Sequence, residues 1–158
     1  MADTPLTVIG GGVIGLAIAA ECARRFSPLI LLERNERTGQ ETSSRNSEVV
    51  HAGMYYPTGT LKARLCVRGN RLLWETCERL DIPCRRTTKL IVATGPGESA
   101  ELERLLALGH ANGVDLSMLS AEECRRLEPA VPAVAGLLSP TSGIVSTAMS
   151  TPNTGVPA

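Results

Sequence analysis

Three glycines and one glutamate carry the clearest chemical signal in this chain. Gly10, Gly12 and Gly15 stand in a G-x-G-x-x-G spacing, and Glu33 follows 18 residues beyond the last of them. Each glycine answers a separate need of a dinucleotide site. Gly10 permits a tight turn, Gly12 lets backbone approach a pyrophosphate where any Cβ would intervene, and Gly15 lets a helix pack closely on the preceding strand. Val13 and Ile14 would then open a helix whose free N–H groups and partial positive charge suit phosphate. Glu33 stands near the ~20-residue spacing at which an acid accepts hydrogen bonds from a ribose 2′-hydroxyl. The same carboxylate would repel a 2′-phosphate, so NADP is disfavoured. The bland alternative is a glycine-rich turn beside a surface glutamate.

The surrounding elements decide between the two. Residues 6–9, Leu-Thr-Val-Ile, form a short apolar, β-branched run that reads as a buried strand. Residues 13–26 are apolar around most of a helical circumference, with Glu21, Arg24 and Arg25 near the end, and read as a helix against a sheet. Ser27-Pro28 stops it, and residues 29–32, Leu-Ile-Leu-Leu, make a second buried strand. Two apolar strands joined by a helix predict a parallel βαβ unit. Strand, glycines, helix, strand and acid thus occur in the order the fingerprint requires.

Further along, residues 38–47 are polar and predict a loop, whereas 48–56 are ambiguous. Leu61, Leu65, Leu72, Leu73, Cys77 and Leu80 recur at helical spacing and predict a long amphipathic helix. Residues 89–94 predict a strand, and 98–111 a helix stopped by Asn112-Gly113. Ser120-Ala121-Glu122-Glu123 is a capping-box pattern opening a short helix before Pro129. Residues 136–145 leave room for one or two short strands. Residues 146–158, rich in Ser, Thr, Pro and Gly, are expected to form a disordered tail. The expected fold class is α/β: a Rossmann-like unit over residues 5–82, the beginning of a mixed α+β substrate domain over 83–145, and the tail.

Composition narrows the function. Sixteen basic and sixteen acidic residues cancel, which gives no long-range attraction for nucleic acid or an anionic membrane. The five cysteines form no C-x-x-C pair and are odd in number, which argues against a zinc site and a disulfide framework. Reduced thiols in a cytoplasmic-type protein are the simpler reading. The apolar run 6–20 lacks a basic n-region, contains four glycines and is too short for the ~20 residues of a span, so neither a signal peptide nor an integral membrane segment is expected.

The fingerprint does not separate FAD from NAD. The string Ser44-Arg45-Asn46-Ser47, then His51-Ala52-Gly53-Met54-Tyr55-Tyr56, resembles the segment after the ADP site in FAD-dependent oxidoreductases of the D-amino-acid-oxidase (DAO) superfamily. It is most similar to the L-2-hydroxyglutarate dehydrogenase/oxidase family. The likeness continues through Pro57 to Cys66, Lys89 to Thr94, Asn112-Gly113-Val114-Asp115 and Ser142-Gly143-Ile144-Val145.

The resemblance implies FAD as cofactor. Gly10, Gly12 and Gly15 would hold the pyrophosphate and Glu33 the adenosine ribose, with Arg34 at the adenine end. Thr42, Ser43, Ser44, Arg45 and Ser47 would line the dinucleotide toward the isoalloxazine. His51 would approach the flavin face as the base that takes a hydroxyl proton; as alternatives it is a positioning residue or part of the packing. The substrate implied is a 2-hydroxy acid, with a quinone or oxygen as electron acceptor, and a quinone-linked parent would sit at a membrane surface. Amino acids and glycerol 3-phosphate are the nearest alternative substrates. A nicotinamide-dependent dehydrogenase and a non-catalytic nucleotide-binding remnant are the other classes. His110 is expected to be solvated, and Lys62 and Arg64 to lie on a solvated helix face, with carboxylate binding as the alternative; Tyr55 and Tyr56 shape a pocket or, equally, belong to an ordinary strand or helix face, and Cys66 is expected to be a small buried hydrophobe.

The family's enzymes are longer than this chain. After Val145 they carry an aspartate and a helix, where this chain has Ser146 and a polar stretch. A truncated frame or fragment is therefore expected, with an unpaired sheet edge, an uncovered apolar face and weak FAD binding.

Overall fold

The computed structural model describes residues 5–146. They group into two compact units, one ending at Glu48 and one spanning Val49–Val145, with Ser146 assigned to the first. The tail expected from residue 146 onward lies, beyond Ser146, outside the described residues.

The first unit is the βαβ motif. β1 (Leu6–Ile9) and β2 (Leu29–Leu32) pair in parallel, in register from Leu6 opposite Leu29 to Ile9 opposite Leu32. The Gly10 N–H donates to the Leu32 carbonyl at 2.8 Å and extends the ladder into the glycine turn. Parallel neighbours need a crossover, and α1 (Val13–Cys22) supplies it. The helix stops four residues short of the expected end at 26. The Ala23, Arg25 and Phe26 N–H groups close the last turn on the Ala19 and Cys22 carbonyls, and Arg24 turns back to Glu21 at 3.5 Å.

Neither strand nor α1 is enclosed as its apolar sequence led one to expect. Alternate strand residues face outward, no residue of α1 is buried, and Ile9 and Ile14 are 84% and 71% exposed. The physical reason is size. Two strands present too narrow a sheet to cover an all-apolar helix, and strands made for burial on both faces keep one bare. The expected uncovered apolar face is therefore present.

The second unit is mixed α and β. In chain order it contains β3 (Val49–Val50), α2 (Leu61–Leu80), β4 (Cys84–Arg85), β5 (Lys89–Ala93), α3 (Ser99–Ala111), β6 (Ser117–Ser120), α4 (Ala121–Leu127), β7 (Ala135–Ser139) and β8 (Gly143–Val145). Its strands form two antiparallel three-stranded sheets, ordered β3-β8-β4 and β5-β7-β6. By its contacts α2 groups with this unit, although the sequence reading placed it in residues 5–82.

Local chemistry explains the helix ends. The Thr60 hydroxyl accepts from the Ala63 N–H at 3.2 Å and starts α2; Asp81, left-handed at φ 53°, ends it. The predicted capping box opens α4: the Ser120 hydroxyl accepts from Glu123 N, and the Glu123 carboxylate accepts from Ser120 N at 2.8 Å.

The core of this unit joins Ala52 and Met54, Leu102 and Leu105 of α3, Val114, Leu116, Ala93 of β5 and Leu137 of β7. Leu137 is fully enclosed, opposite Ile91 and Met118 in the central strand of its sheet. Leu137→Ala is expected to destabilise the unit by about 2–5 kcal/mol, because the lost methyl groups leave a cavity that three strands cannot close. Urea unfolding measures it. Met118→Ala, in the edge strand and exposed, is the comparison and should cost clearly less.

Candidate functional site: the glycine turn and its acid

The turn between β1 and α1 is built from its glycines. Gly10 has φ +104°, a conformation open to glycine and strained for other residues. Gly15 packs so closely that an added Cβ would collide with the Gly10 carbonyl. Gly11, between them, is the buried residue of the turn.

Glu33 points into this turn. Its Oε2 accepts from the Gly11 N–H at 2.6 Å, and its Oε1 accepts from the Asn35 N–H and Nδ2, both at 2.9 Å. The acid is thus held against the glycine backbone, with lone pairs left for a ribose hydroxyl. The N–H bonds from Asn35, then from Gly11, hold its pKa below the ordinary 4.5, because they favour the charged form. A depressed carboxylate contributes stability that is present above 4.5 and is lost as pH falls through the lower folded value. The Gly11 amide proton is therefore expected to titrate in NMR spectra with a midpoint below 4.5. A midpoint at or above that value would contradict the contact.

The following loop returns to the same place. Gly39 N–H donates to the Gly11 carbonyl at 3.0 Å, and the Ser43 hydroxyl accepts from the Val13 N–H at 2.9 Å. Ser43 therefore sits at the N-terminus of α1, where an oxygen acceptor belongs. The first helical bond of α1 is Leu16 N–H to Gly12 carbonyl. The Ile14 and Gly15 N–H groups take no partner among the described residues, so the helix end still offers donors. A Cβ on Gly12 would come within 3.1 Å of the Ser43 hydroxyl, so glycine keeps this approach open. Open donors, a glycine cradle and a fixed acid fit the ADP half of a dinucleotide.

The remaining expected ligands are placed less decisively. Thr42 and Ser44 lie in a 3-10 turn (Thr42–Ser44), and Ser44 donates its hydroxyl to the Glu41 carbonyl at 3.0 Å. Arg45 and Ser47 are exposed. Arg34 pairs with Glu41 at 2.7 Å on the surface, which raises the guanidinium pKa and lowers that of the carboxylate.

His51 belongs to the second unit and is exposed. Its carbonyl accepts from Asn70 Nδ2 at 3.0 Å, and the same Nδ2 donates to the Thr141 carbonyl at 3.0 Å. Asn112 Nδ2 holds the end of the same segment through the Tyr56 carbonyl at 2.8 Å and the Gly53 carbonyl at 3.3 Å. These two asparagines were not singled out as site residues. Asn70 had a legible signal, since it shares the buried stripe of α2 with Ala63, Trp74 and Cys77, and a polar group there must find partners. Lys62 and Lys89 lie over the rings of Tyr56 and Tyr55 at 4.4 and 4.8 Å. His110, though exposed, donates from Nε2 to the Leu116 carbonyl at 3.0 Å, so it is more than a solvated side chain. Cys66 is only half-buried, with its thiol directed to the His51 carbonyl at 3.7 Å.

Fold and turn together define a Rossmann-like dinucleotide-binding protein. The family model "FAD dependent oxidoreductase" (DAO) matches residues 6–153. The mitochondrial L-2-hydroxyglutarate dehydrogenase of Arabidopsis thaliana is 50% identical over 141 residues, covering 89% of this chain and 29% of that protein. L-2-hydroxyglutarate dehydrogenase of Escherichia coli K12 is 37% identical over 144 residues, covering 88% and 33%. Among solved structures, the dithionite-reduced, FAD-bound L-α-glycerophosphate oxidase of Mycoplasma pneumoniae superposes with a TM-score of 0.83 at 34% identity, covering 93% of this chain and 40% of that one. The chain belongs to the DAO family of FAD-dependent oxidoreductases, whose cofactor is FAD. It spans about a third of the length of the curated relatives it matches.

Proposed function

We propose that this chain contributes the ADP-binding half of the flavin site and part of the substrate domain of an enzyme that oxidises L-2-hydroxyglutarate to 2-oxoglutarate. The observation that carries the reading is the 50% identity to the plant dehydrogenase across 141 residues. The Glu33–Gly11 contact supports the nucleotide part independently. Gly10, Gly12, Val13, Ile14 and Gly15 would bind the pyrophosphate, Glu33 the adenosine ribose, and Thr42, Ser43, Ser44, Arg45 and Ser47 the rest of the dinucleotide, with Arg34 near the adenine.

The bound flavin would accept the hydride from the substrate C2. The chain's part is to orient that cofactor and to manage the proton. An imidazole nitrogen of His51 would take the hydroxyl proton as the C2–O bond becomes a carbonyl. Asn70 and Asn112 support this role by fixing the backbone at the histidine carbonyl and at Gly53 and Tyr56 beyond it. A quinone or oxygen would receive the electrons. No helix among the described residues is long and apolar enough to cross a membrane. The plant relative is named as mitochondrial, so the cytoplasmic expectation widens to cytoplasm or mitochondrion.

Glycerol 3-phosphate is the second reading, favoured by the likeness to the glycerophosphate oxidase. Anaerobic addition of each substrate to the FAD-loaded chain separates the two by loss of visible flavin absorbance. L-2-hydroxyglutarate should bleach the flavin, and its D-isomer should not. Bleaching by glycerol 3-phosphate instead would overturn the substrate assignment. Bound flavin that no substrate bleaches would leave a nucleotide binder without this activity.

A further inference from the structure

The ladder between β3 and β8 stops where His51 begins. Val49 stands opposite Ile144 and Val50 opposite Gly143, and the register ends there. Just beyond it lie the carbonyls of His51, on the extension of β3, and of Thr141, on the extension of β8. They are joined through α2 instead of to each other. Asn70 is 8% exposed, and its Nδ2 donates to both carbonyls at 3.0 Å. One turn to either side on α2, the Cys66 thiol is directed to the His51 carbonyl at 3.7 Å, and Trp74 Nε1 donates to the Thr141 carbonyl at 3.1 Å. Residues four apart share a helix face, so Cys66, Asn70 and Trp74 form one stripe of donors aimed at two carbonyls.

The Thr141 end of this staple is firmly packed. The Thr88 N–H donates to the Ser142 carbonyl at 3.1 Å, and the buried hydroxyls of Ser139 and Ser142 bond to each other at 3.0 Å. A Cβ on Gly143 would collide with the Arg85 carbonyl and the Trp74 ring. The His51 end, by contrast, leaves the ladder after a strand of two residues.

We infer that Asn70 is the positioning residue of His51, a continuation of the β3–β8 ladder by a side chain. The inference rests on His51 as the base. A carboxamide suits the task because its NH2 carries two donors on one atom and brings no charge into a buried place. Aspartate has the same shape but would set an ionised oxygen against two carbonyl oxygens. A base acts only within ~2.6–3.2 Å of the proton it takes, and a misplacement of about 1 Å costs about a hundredfold in rate. Asn70 passes the fixed position of α2 and of the Thr141 corner to the backbone that carries the imidazole. Asn112 holds Gly53 and Tyr56 further along and does not duplicate this bond.

NMR of the full chain, native and Asn70→Ala, tests the staple. The His51 and Thr141 carbonyl carbons should move upfield in the variant, and backbone order at His51 and Ala52 should fall. The Gly53 and Tyr56 carbonyls, held by Asn112, should keep their shifts. Asn70→Asp should behave like the alanine variant, because it restores the shape and not the donors. Asn70→Ser, which keeps one donor, gives the same readings at smaller amplitude should the alanine chain fail to fold. In the FAD-loaded chain, the maximal rate of bleaching by L-2-hydroxyglutarate should fall about ten- to a hundredfold in the alanine and aspartate variants, at an unchanged half-saturating concentration. Unchanged order at His51, native behaviour in Asn70→Asp, or weaker saturation at an unchanged maximal rate would overturn the proposal. A native chain that L-2-hydroxyglutarate does not bleach removes the substrate reading alone; the carbonyl shifts and backbone order still decide whether Asn70 places His51.

Discussion

Replacing Gly15 by valine is expected to remove measurable binding of FAD and of ADP, a loss of at least about a hundredfold in affinity. The cause is steric and cannot be relieved by a side-chain rotation. The new Cβ would be driven into the Gly10 carbonyl, and Val8 Cγ1 stands 3.6 Å away on the strand side. Gly10 cannot retreat, because its N–H continues the β1–β2 ladder on the Leu32 carbonyl at 2.8 Å. Helix and strand would have to separate, and the donors at the start of α1 would no longer converge with Glu33. Titration calorimetry with both ligands measures the loss, and circular dichroism reports whether the helix survives. Gly97→Ala is the control. A Cβ at that exposed turn meets nothing within 4 Å, and binding should be unchanged. Retained affinity in the valine variant would mean that the phosphates bind elsewhere.

Glu33→Ala is expected to weaken ADP binding by about ten- to a hundredfold, since hydrogen bonds to a charged acceptor are stronger than neutral ones. The carboxylate orders the Gly11 N–H and the Asn35 segment, so part of the loss would come from a loosened turn. Comparing ADP with 2′-deoxy-ADP isolates the other part. Removing the hydroxyl should weaken binding to the native chain by about tenfold and leave the variant's affinity nearly unchanged, the signature of a lost partner in a double-mutant cycle. An equal effect of the deoxy ligand on both proteins would take Glu33 off the ribose.

The βαβ unit was legible because each feature of it is local. A glycine spacing, two apolar runs and an acid at the end of the second can be read along the chain without knowing what lies across from them. The capping box at Ser120 was legible for the same reason, since its two hydrogen bonds span three residues. β4 and β6 were not. Cys84–Arg85 is too short to show alternation, and Ser117–Ser120 is half polar; each is a strand because β8 or β7 presents a free ladder beside it. The two strands within residues 136–145 were anticipated only as a possibility of one or two, and antiparallel partners fixed the answer.

At the sites the division is the same. Residue types and spacing were enough to single out the glycine turn and its acid, because the backbone constraints they satisfy belong to those residues alone. The placement of Ser43 on the Val13 N–H, thirty residues away, and the clamp of Asn70 on the carbonyls of His51 and Thr141 came from the folded chain. Such contacts depend on where loops and helices return in space. No periodicity records that, since the energy fixing it is shared among many residues distant in sequence.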